Sequence, residues 1–345
     1  METKLLAVDP LRPSPQAIAE AAEIIKAGGL VAFPTETVYG LAANALDAAA
    51  VARIFVAKGR PPQNPIIVHI ADLAELAAVA AEWPPLAAKL EARFWPGPLT
   101  LVLKKHPQVP DIVTAGGPTV AVRMPSHPVA LALIRASQAP LAAPSANVST
   151  QISATRAEHV LRGLSGRIDL VLDAGPTAGG LESTVLDVTA SPPRLLRPGL
   201  VAPAEIEAVI GPIAGVDRFA AGGVAAGGEE PVGPLRSPGM LARHYAPQVP
   251  LECLPQGDDW ARIEDLRHDL RRLGWLALGP VNADASCGVL IIEMPTEPEA
   301  YAAQLYAALH ALEAAEVERI IVTLPPAGDA WLAIRDRLRR ASVAE

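Results

Sequence analysis

Apolar residues recur at helical spacing in some segments of the chain and form short continuous runs in others. Helical spacing predicts helices at 14–27, 47–59, 72–94 with a break near Pro84, 127–137, and from a Thr155 cap to 164. Short apolar runs bounded by turn residues predict strands at 30–34, 66–70, 99–105, 119–125 and 141–146, and in LVLDAG, STVLDV and RLLRPG. Strands mixed with helices and short loops indicate an α/β class with a mixed sheet.

The pattern changes after residue 210. Residues 211–248 are rich in Gly, Ala and Pro and have no sustained period, which is typical of a linker or a lid. Residues 249–345 then follow a β-α-β-β-α-β-α rhythm without a GxGxxG or GxxxxGK[ST] motif. We therefore predict a domain at 14–210, a linker and a small α/β domain. We interpret the many Arg and Glu of that small domain mostly as solvated faces, outside any active site.

Composition narrows the choice of function. The 345 residues are 50% hydrophobic, enough for sizeable cores, and the net charge of −8 disfavours a nucleic-acid binder with a broad basic face. Two cysteines, Cys253 and Cys287, exclude a disulfide framework and a zinc cluster, and we predict buried, inert thiols. The chain shows neither a signal peptide nor a long apolar stretch, so we predict a cytoplasmic protein without membrane segments.

Polar residues gather where apolar strands end. The loop from Thr35 to Gly40 can line a ligand crevice or form a simple turn stabilised by a threonine hydroxyl. Lys58 and Arg60, on a proline-rich loop at a helix end, suit a phosphate or carboxylate, or only compensate the helix dipole. His69, alone in an apolar strand, is more typical of a core residue than of a ligand or base.

Further along the chain, Arg123 ends a strand between apolar neighbours and needs an anion, either a ligand or a structural partner. Ser145 and Asn147 lie in a loop of small residues that allows a ligand close to the backbone. Ser183 and Arg197 repeat the pattern of a hydroxyl or a cation at a strand end. Convergence of these groups predicts one anionic-ligand crevice, and the lack of paired carboxylates or a nucleophile favours chemistry by positioning and electrostatics, as in nucleotidyl transfer.

The ordered motifs PTETVYGL, KGRPPQNPIIVHI, FWPGPLTLVL, TVAVRMPSHP, APSANVS, ESTVLDV and RPG resemble the YrdC family. SPGMLARHYAP in the linker is similar to the long, two-domain form of that family. The resemblance implies an open twisted mixed sheet with a concave groove and a smaller Rossmann-like α/β domain. It also implies a nucleotidyltransferase that makes threonylcarbamoyl-AMP and pyrophosphate from L-threonine, bicarbonate (or CO2) and ATP, for the threonylcarbamoyl-adenosine modification of tRNA by a separate transferase complex.

The resemblance also implies roles for individual residues. Those expected around threonine are Thr35, Thr37, His69, Arg123, Ala143 and Ser183. Those expected around ATP are Lys58, Arg60, Asn64, Thr119, Ser145, Asn147, Ser153 and Arg197, with Lys58 and Arg60 catalytic. Ser237, His244 and Tyr245 are expected to form a lid. Mg²⁺ is expected on the ATP phosphates, without an assigned protein ligand.

One departure and three alternatives remain at this stage. The linker carries Leu241-Ala242 where the family usually has Lys or Tyr. A hydrogenase-maturation carbamoyltransferase shares the YrdC-like domain but needs zinc-finger cysteine pairs. An RNA-binding module conflicts with the charge and the 4% aromatic content, although direct tRNA contact is not decided. A generic nucleotide hydrolase would consume ATP without threonine.

Overall fold

The computed structural model describes residues 2–220, 243–281 and 288–342, and its strands form two sheets. The larger sheet contains ten strands: β1 (Lys4–Ala7), β2 (Val31–Phe33), β3 (Gly40–Asn44), β4 (Ile67–His69), β5 (Leu99–Lys104), β6 (Thr119–Arg123), β7 (Leu141–Ala142), β8 (Leu170–Asp173), β9 (Thr184–Asp187) and β10 (Arg194–Arg197). Their spatial order is β1-β8-β2-β3-β7-β4-β6-β5-β9-β10. The sheet is mixed, because it contains parallel pairs such as β4 with β6 and antiparallel pairs such as β5 with β6.

Helices cover both faces of this sheet. They are α1 (Pro15–Lys26), α2 (Ala48–Lys58), α3 (Leu76–Val79), α4 (Pro85–Phe94), α5 (Asp111–Thr114), α6 (Pro128–Ser137), α7 (Ala157–Leu164), α8 (Pro203–Ile210) and α9 (Asp217–Ala220). Alternation along β2 sends Val31 and Phe33 into the core under α1 and α6, while Ala32 joins the core under α2. Helix α2 shows how local sequence sets its bounds: Asp47 accepts hydrogen bonds from two amides of the first turn, and Gly59 ends the helix at φ 61°.

The smaller sheet is entirely parallel. Its strands are β11 (Leu251–Leu254), β12 (Leu273–Leu278), β13 (Val289–Met294) and β14 (Arg319–Thr323), in the order β11-β14-β12-β13. Helices α10 (Asp258–Leu266), α11 (Pro298–Ala314) and α12 (Leu332–Ala341) pack around it. This agrees with the predicted rhythm and confirms the α/β fold with a second, smaller α/β domain.

Five elements in or around the larger sheet were not predicted from the sequence: β1, β3, α5, α8 and α9. β1 pairs with β8 although it precedes residue 14, where the predicted domain begins. β3 consists of Gly, Leu, Ala and Asn, so it lacks β-branched residues, and its burial between β2 and β7 decides its conformation. The predicted helix cap at Thr155 is wrong. Arg156 precedes the first helical residue, and the Thr155 hydroxyl instead lies 3.4 Å from Nδ1 of His159.

The prediction that charged residues of the second domain are mostly solvated also needs correction. On α12, Asp336, Arg337 and Arg340 are all buried, because this helix packs against the first domain and its charges neutralise each other there. Cys253 is half-buried, and burial raises the pKa of its thiol to about 12, in agreement with an inert role. Cys287 lies outside the described residues. Within the described ranges, no helix is both long and apolar enough to cross a bilayer.

Candidate active site

A cavity lies where several strands of the large sheet end. The side chains and backbone around it come from the loop after β2, the ends of β4, β6 and β10, the loop after β7 and the residues before β9. It is lined by Thr35, Thr37, Val38, Gly40, Arg60, Ile67, His69, Arg123, Ala143, Pro144, Ser145, Glu182, Ser183, Arg197, His244 and Tyr245. Eleven of the residues proposed from the sequence therefore share one cavity: Thr35, Thr37, Arg60, His69, Arg123, Ala143, Ser145, Ser183, Arg197, His244 and Tyr245.

Parallel pairing of β4 with β6 places His69 opposite Arg123. Burial, and then the Arg123 charge, lower the pKa of His69 to about 3, so the imidazole is neutral near pH 7. Its Nδ1 is buried and finds no hydrogen-bond partner among the described residues. The cavity thus contains a neutral imidazole nitrogen that can exchange a hydrogen bond with a ligand.

Arg123 is nearly fully buried and is held on three sides. Its Nη1 donates to the Thr37 hydroxyl at 3.0 Å, its Nε donates to the Gly97 carbonyl at 3.2 Å, and its Nη2 forms an ion pair with Glu36. Arg123 therefore forms the structural ion pair that the sequence allowed, and it also lines the cavity. A ligand carboxylate at Arg123 has to share this guanidinium with Glu36 or displace that side chain.

The loop after β2 combines both roles that its sequence allowed. The Thr35 hydroxyl accepts hydrogen bonds from the amides of Thr37 at 3.1 Å and Val38 at 3.3 Å, which is a threonine-stabilised turn. The same two threonines line the cavity. The turn places Thr35 and Thr37 at the cavity wall, so the structural and functional interpretations coincide here.

Arg60 and Arg197 bring two more guanidinium groups. Arg60 donates from Nε to the Asn64 carbonyl at 3.0 Å and from Nη2 to the Pro65 carbonyl at 2.6 Å. Arg197 donates from Nε and Nη2 to the Ser183 carbonyl at 3.1 and 2.9 Å, and from Nη2 to its hydroxyl at 3.1 Å. Burial lowers the pKa of both groups, to about 9 for Arg60. Two buried cations whose hydrogen bonds end on neutral oxygens favour an anionic ligand.

Five residues proposed from the sequence do not line the cavity: Lys58, Asn64, Thr119, Asn147 and Ser153. Lys58 is buried, and its ammonium donates to the carbonyls of Ser145 and Asn147, so it braces the loop after β7 from behind. Burial, and then the Arg60 charge, lower the pKa of Lys58 well below its usual value. Thr119 lies at the start of β6 opposite Lys104, at the far end of that strand from Arg123.

The remaining residues of that group stand immediately behind the wall. Asn64 is fully buried and presents its backbone carbonyl to Arg60. The Asn147 amide donates to the carbonyls of Val148 and Gln151, and the Ser153 hydroxyl donates to Glu182. Ser237 and the Leu241-Ala242 departure lie outside the described residues.

Glu182 is the charged residue of the cavity that the sequence analysis missed. It stands immediately before Ser183 in the motif ESTVLDV, but residue type alone does not indicate that a carboxylate lines a crevice otherwise formed by cations and hydroxyls. Burial by itself would raise the pKa of Glu182, but Arg337 and then Arg197 outweigh it and lower the value to about 2. The carboxylate is therefore ionised and already paired.

Two linker residues close one side of the cavity. Tyr245 is buried, its ring centroid lies 4.0 Å from that of His244, and the Arg337 guanidinium lies 4.8 Å from its ring centroid. Burial lowers the pKa of His244 to about 3, so this ring is also neutral near pH 7.

The donor set does not suit a divalent cation held by the protein. Among the residues that the structure describes, no group of three or more His, Cys, Asp or Glu could hold a metal ion. The two carboxylates nearest the ligand space, Glu36 and Glu182, are each paired with an arginine. Any Mg²⁺ would have to arrive on nucleotide phosphates, whose oxygens and waters are its usual ligands.

Comparisons with known proteins match nearly the whole chain. A Sua5/YciO/YrdC family model, described as telomere recombination, matches residues 23–199. A second model, described as threonylcarbamoyl-AMP synthase, C-terminal domain, matches residues 201–343. The threonylcarbamoyl-AMP synthase of Bacillus subtilis is 45% identical over 97% of this chain and 95% of its own, and that of Pyrococcus abyssi is 44% identical over 93% of each.

A solved structure agrees with the fold over nearly the full length. The crystal structure of P. abyssi Sua5 complexed with L-threonine covers 99% of this chain and 98% of its own, with 42% identity and a TM-score of 0.87.

Proposed function

The chain belongs to the Sua5/YciO/YrdC family, whose full-length relatives are threonylcarbamoyl-AMP synthases, and we propose that it makes threonylcarbamoyl-AMP from L-threonine, bicarbonate and ATP. The observation that carries the proposal is the meeting of Arg60, Arg123 and Arg197 with threonine and serine hydroxyls around one cavity. A nucleoside triphosphate is anionic at its phosphates and an amino acid at its carboxylate. This cavity offers separate cations for the two ligands. That L-threonine is bound in the P. abyssi relative supports the amino-acid half.

The proposed reaction joins three reactants in two steps. The neutral threonine amine adds to CO2 to form a carbamate with loss of a proton, or to bicarbonate to form the same carbamate with loss of water. A carbamate oxygen then attacks the α-phosphorus of ATP, the bond to the bridging oxygen breaks, and pyrophosphate leaves. Because carbamates decompose in water, a closed site that excludes water protects the intermediate.

The cavity residues divide between the two halves of this reaction. Arg123 holds the threonine carboxylate, and the neutral imidazole of His69 exchanges a hydrogen bond with the amine or hydroxyl of threonine. Arg60 and Arg197 stabilise the negative charge on the phosphates and on departing pyrophosphate. Lys58 acts from behind the wall by fixing the loop that contains Ser145, so we assign it positioning rather than contact with phosphate.

The proposed function also involves the division of the chain, the metal ion and the fate of the product. The chain divides into a catalytic domain at 14–210, to which β1 also belongs, a linker at 211–248 whose His244 and Tyr245 cover the site, and a C-terminal domain at 249–345. ATP enters with Mg²⁺. The product passes to a separate transferase that modifies tRNA, which places the enzyme in the cytoplasm.

The test is pyrophosphate release by the purified protein with ATP. We expect release only when L-threonine and bicarbonate are both present, and threonylcarbamoyl-AMP as the second product by mass spectrometry. L-Serine, which lacks one methyl group, serves as the matched control for the amino-acid site. Equal release with threonine or bicarbonate omitted would identify a nucleotide hydrolase instead.

A further inference from the structure

The segment Gly179 to Ser183 is clamped between the two domains. On one side, the Gly179 amide donates to the Glu36 carbonyl at 2.8 Å. On the other, Gly180 lies so close to α11 that an added Cβ would stand 2.3 Å from the Ala302 carbonyl oxygen. The second domain therefore touches the backbone of the segment that supplies Glu182 and Ser183 to the cavity.

Two side chains of the second domain also contact Glu182. Arg337 of α12 donates from Nε to the Glu182 carboxylate at 2.8 Å and from Nη2 to the Pro198 carbonyl at 3.0 Å. Tyr306 of α11 donates to the same carboxylate at 3.1 Å. Since Arg337 is fully buried, water does not compete for these bonds.

Arg337 also reaches the linker. Its guanidinium lies 4.8 Å from the ring centroid of Tyr245, and the Tyr245 ring stacks on that of Tyr306 with centroids 5.9 Å apart. Tyr245 is thus sandwiched between the second domain and the cavity that it lines.

Glu182 is connected through Ser183 to Arg197, one of the cations of the cavity. Glu182 precedes Ser183, and three hydrogen bonds of Arg197 end on the carbonyl and hydroxyl of Ser183. A shift of Glu182 therefore moves the acceptors that aim Arg197. The hydroxyl of Ser153, which also donates to Glu182, moves with them.

We propose that Arg337 and Tyr306 are positioning residues of the ATP half of the site, which act through Glu182 to aim Arg197 and hold Tyr245 against the cavity. The second domain is then a working part of the site, although neither residue lines the cavity. This inference rests on the proposed function.

The kinetic test compares Arg337→Met and Tyr306→Phe with the wild-type enzyme. We expect KM for ATP to rise about tenfold in Arg337→Met and less in Tyr306→Phe, which loses one hydroxyl, while KM for threonine changes less than twofold. Arg337→Lys should recover part of the loss, because it restores the charge without the fork of donors. Arg319→Ala, which removes a half-exposed arginine paired with Glu252 elsewhere in the same domain, is the control and should match wild type.

A pair of glycine variants tests the backbone contact without touching any charge. Gly180 and Gly175 both have positive φ, 71° and 80°, so alanine strains both, but only at Gly180 would the new methyl meet α11. We expect Gly180→Ala to raise KM for ATP as Arg337→Met does, and Gly175→Ala to leave it near the wild-type value.

Hydrogen exchange gives a readout that does not depend on turnover. Amides of 150–155 and 180–185 should exchange at least several-fold faster in Arg337→Met and Tyr306→Phe than in wild type or Arg319→Ala. Unchanged exchange and unchanged KM for ATP in Tyr306→Phe and in folded Arg337→Met, or equal rises in both KM values, would overturn the inference. Loss of threonine-dependent release in the wild type would instead refute the proposed function, and the exchange data would still decide whether the second domain orders these segments.

Discussion

Buried arginines occupy two neighbouring regions of the molecule, and their surroundings differ. In the cavity, the hydrogen bonds of Arg60 and Arg197 end on neutral carbonyl and hydroxyl oxygens, and burial lowers the pKa of both. At the domain interface, Arg337 meets the carboxylates of Glu182 and Asp336, which with Tyr245 raise its pKa despite complete burial.

The difference distinguishes a cation prepared for a ligand from a cation that completes the structure. A buried guanidinium with neutral partners is costly until an anion arrives, whereas one paired with carboxylates is costly to disturb. Glu182 joins the regions, because it lines the cavity and is neutralised from the second domain. The comparison predicts opposite responses to removal of an arginine in each region.

The largest effect is expected at the interface. Arg337→Ala should lower the free energy of unfolding by about 3–5 kcal/mol, because it leaves the Glu182 carboxylate buried without its main partner. Chemical denaturation measures it. The double variant Glu182→Leu/Arg337→Met should recover most of this loss, since it removes both charges and keeps the volume. Equal losses in the single and double variants would show that the pair is not what stabilises the interface.

In the cavity the expected effect is on catalysis rather than on stability. Arg197→Gln and Arg60→Gln should each reduce kcat/KM for ATP about ten- to a hundredfold, because a charge-assisted hydrogen bond contributes roughly 1.5–3 kcal/mol. The melting temperature should stay the same or rise in Arg60→Gln, where a buried charge with neutral partners is gone. Arg197→Gln should gain less, because it also removes the attraction between Arg197 and the Glu182 carboxylate. Arg53→Gln, which removes a surface arginine paired with Asp169, controls for loss of charge alone. A lower melting temperature with unchanged kinetics would show that Arg60 and Arg197 stabilise the structure and do not bind a ligand.

A smaller effect per residue is expected when the pH falls from neutral to about 5. Burial lowers the pKa of His69 to about 3 and of His310 to about 4, and the latter ring stacks on His159 between the domains with centroids 3.8 Å apart. In the unfolded chain these histidines are protonated below about pH 6.5, whereas in the native state they stay neutral to a lower pH. The free energy of unfolding is therefore at its full value above pH 6.5 and falls as the pH drops toward 4. Each histidine contributes up to about 1.4 kcal/mol per pH unit in that window. Denaturation at pH 7.5, 6 and 5 checks it, and His310→Gln should flatten the slope.

The sequence predicted most of the large sheet because its strands carry β-branched residues in short apolar runs. It predicted the cavity because Arg123 and Arg197 end such strands, and parallel strands bring their ends together. β3 was missed, since GLAAN has no strand preference of its own and is fixed by its neighbours. The local sequence pattern does not reveal a strand whose conformation is set by tertiary contacts.

The second domain was misjudged for a related reason. Arg337 and Asp336 lie at spacings that an exposed helix would also show, and only docking of α12 onto the first domain buries them. Lys58 shows the converse. Its type and motif suggested contact with phosphate, whereas the structure directs its ammonium from the end of α2 to the carbonyls of Ser145 and Asn147 in the loop after β7. Charge type can be read from a sequence, but the identity of its partner depends on long-range packing.

The most direct measurement is a crystal structure with L-threonine and a non-hydrolysable ATP analogue bound. The account predicts phosphate oxygens about 3 Å from the guanidinium groups of Arg60 and Arg197, and the threonine carboxylate at Arg123. Arg337 should keep its bonds to Glu182. Phosphates bound elsewhere, with Arg60 and Arg197 still holding only neutral oxygens, would contradict it.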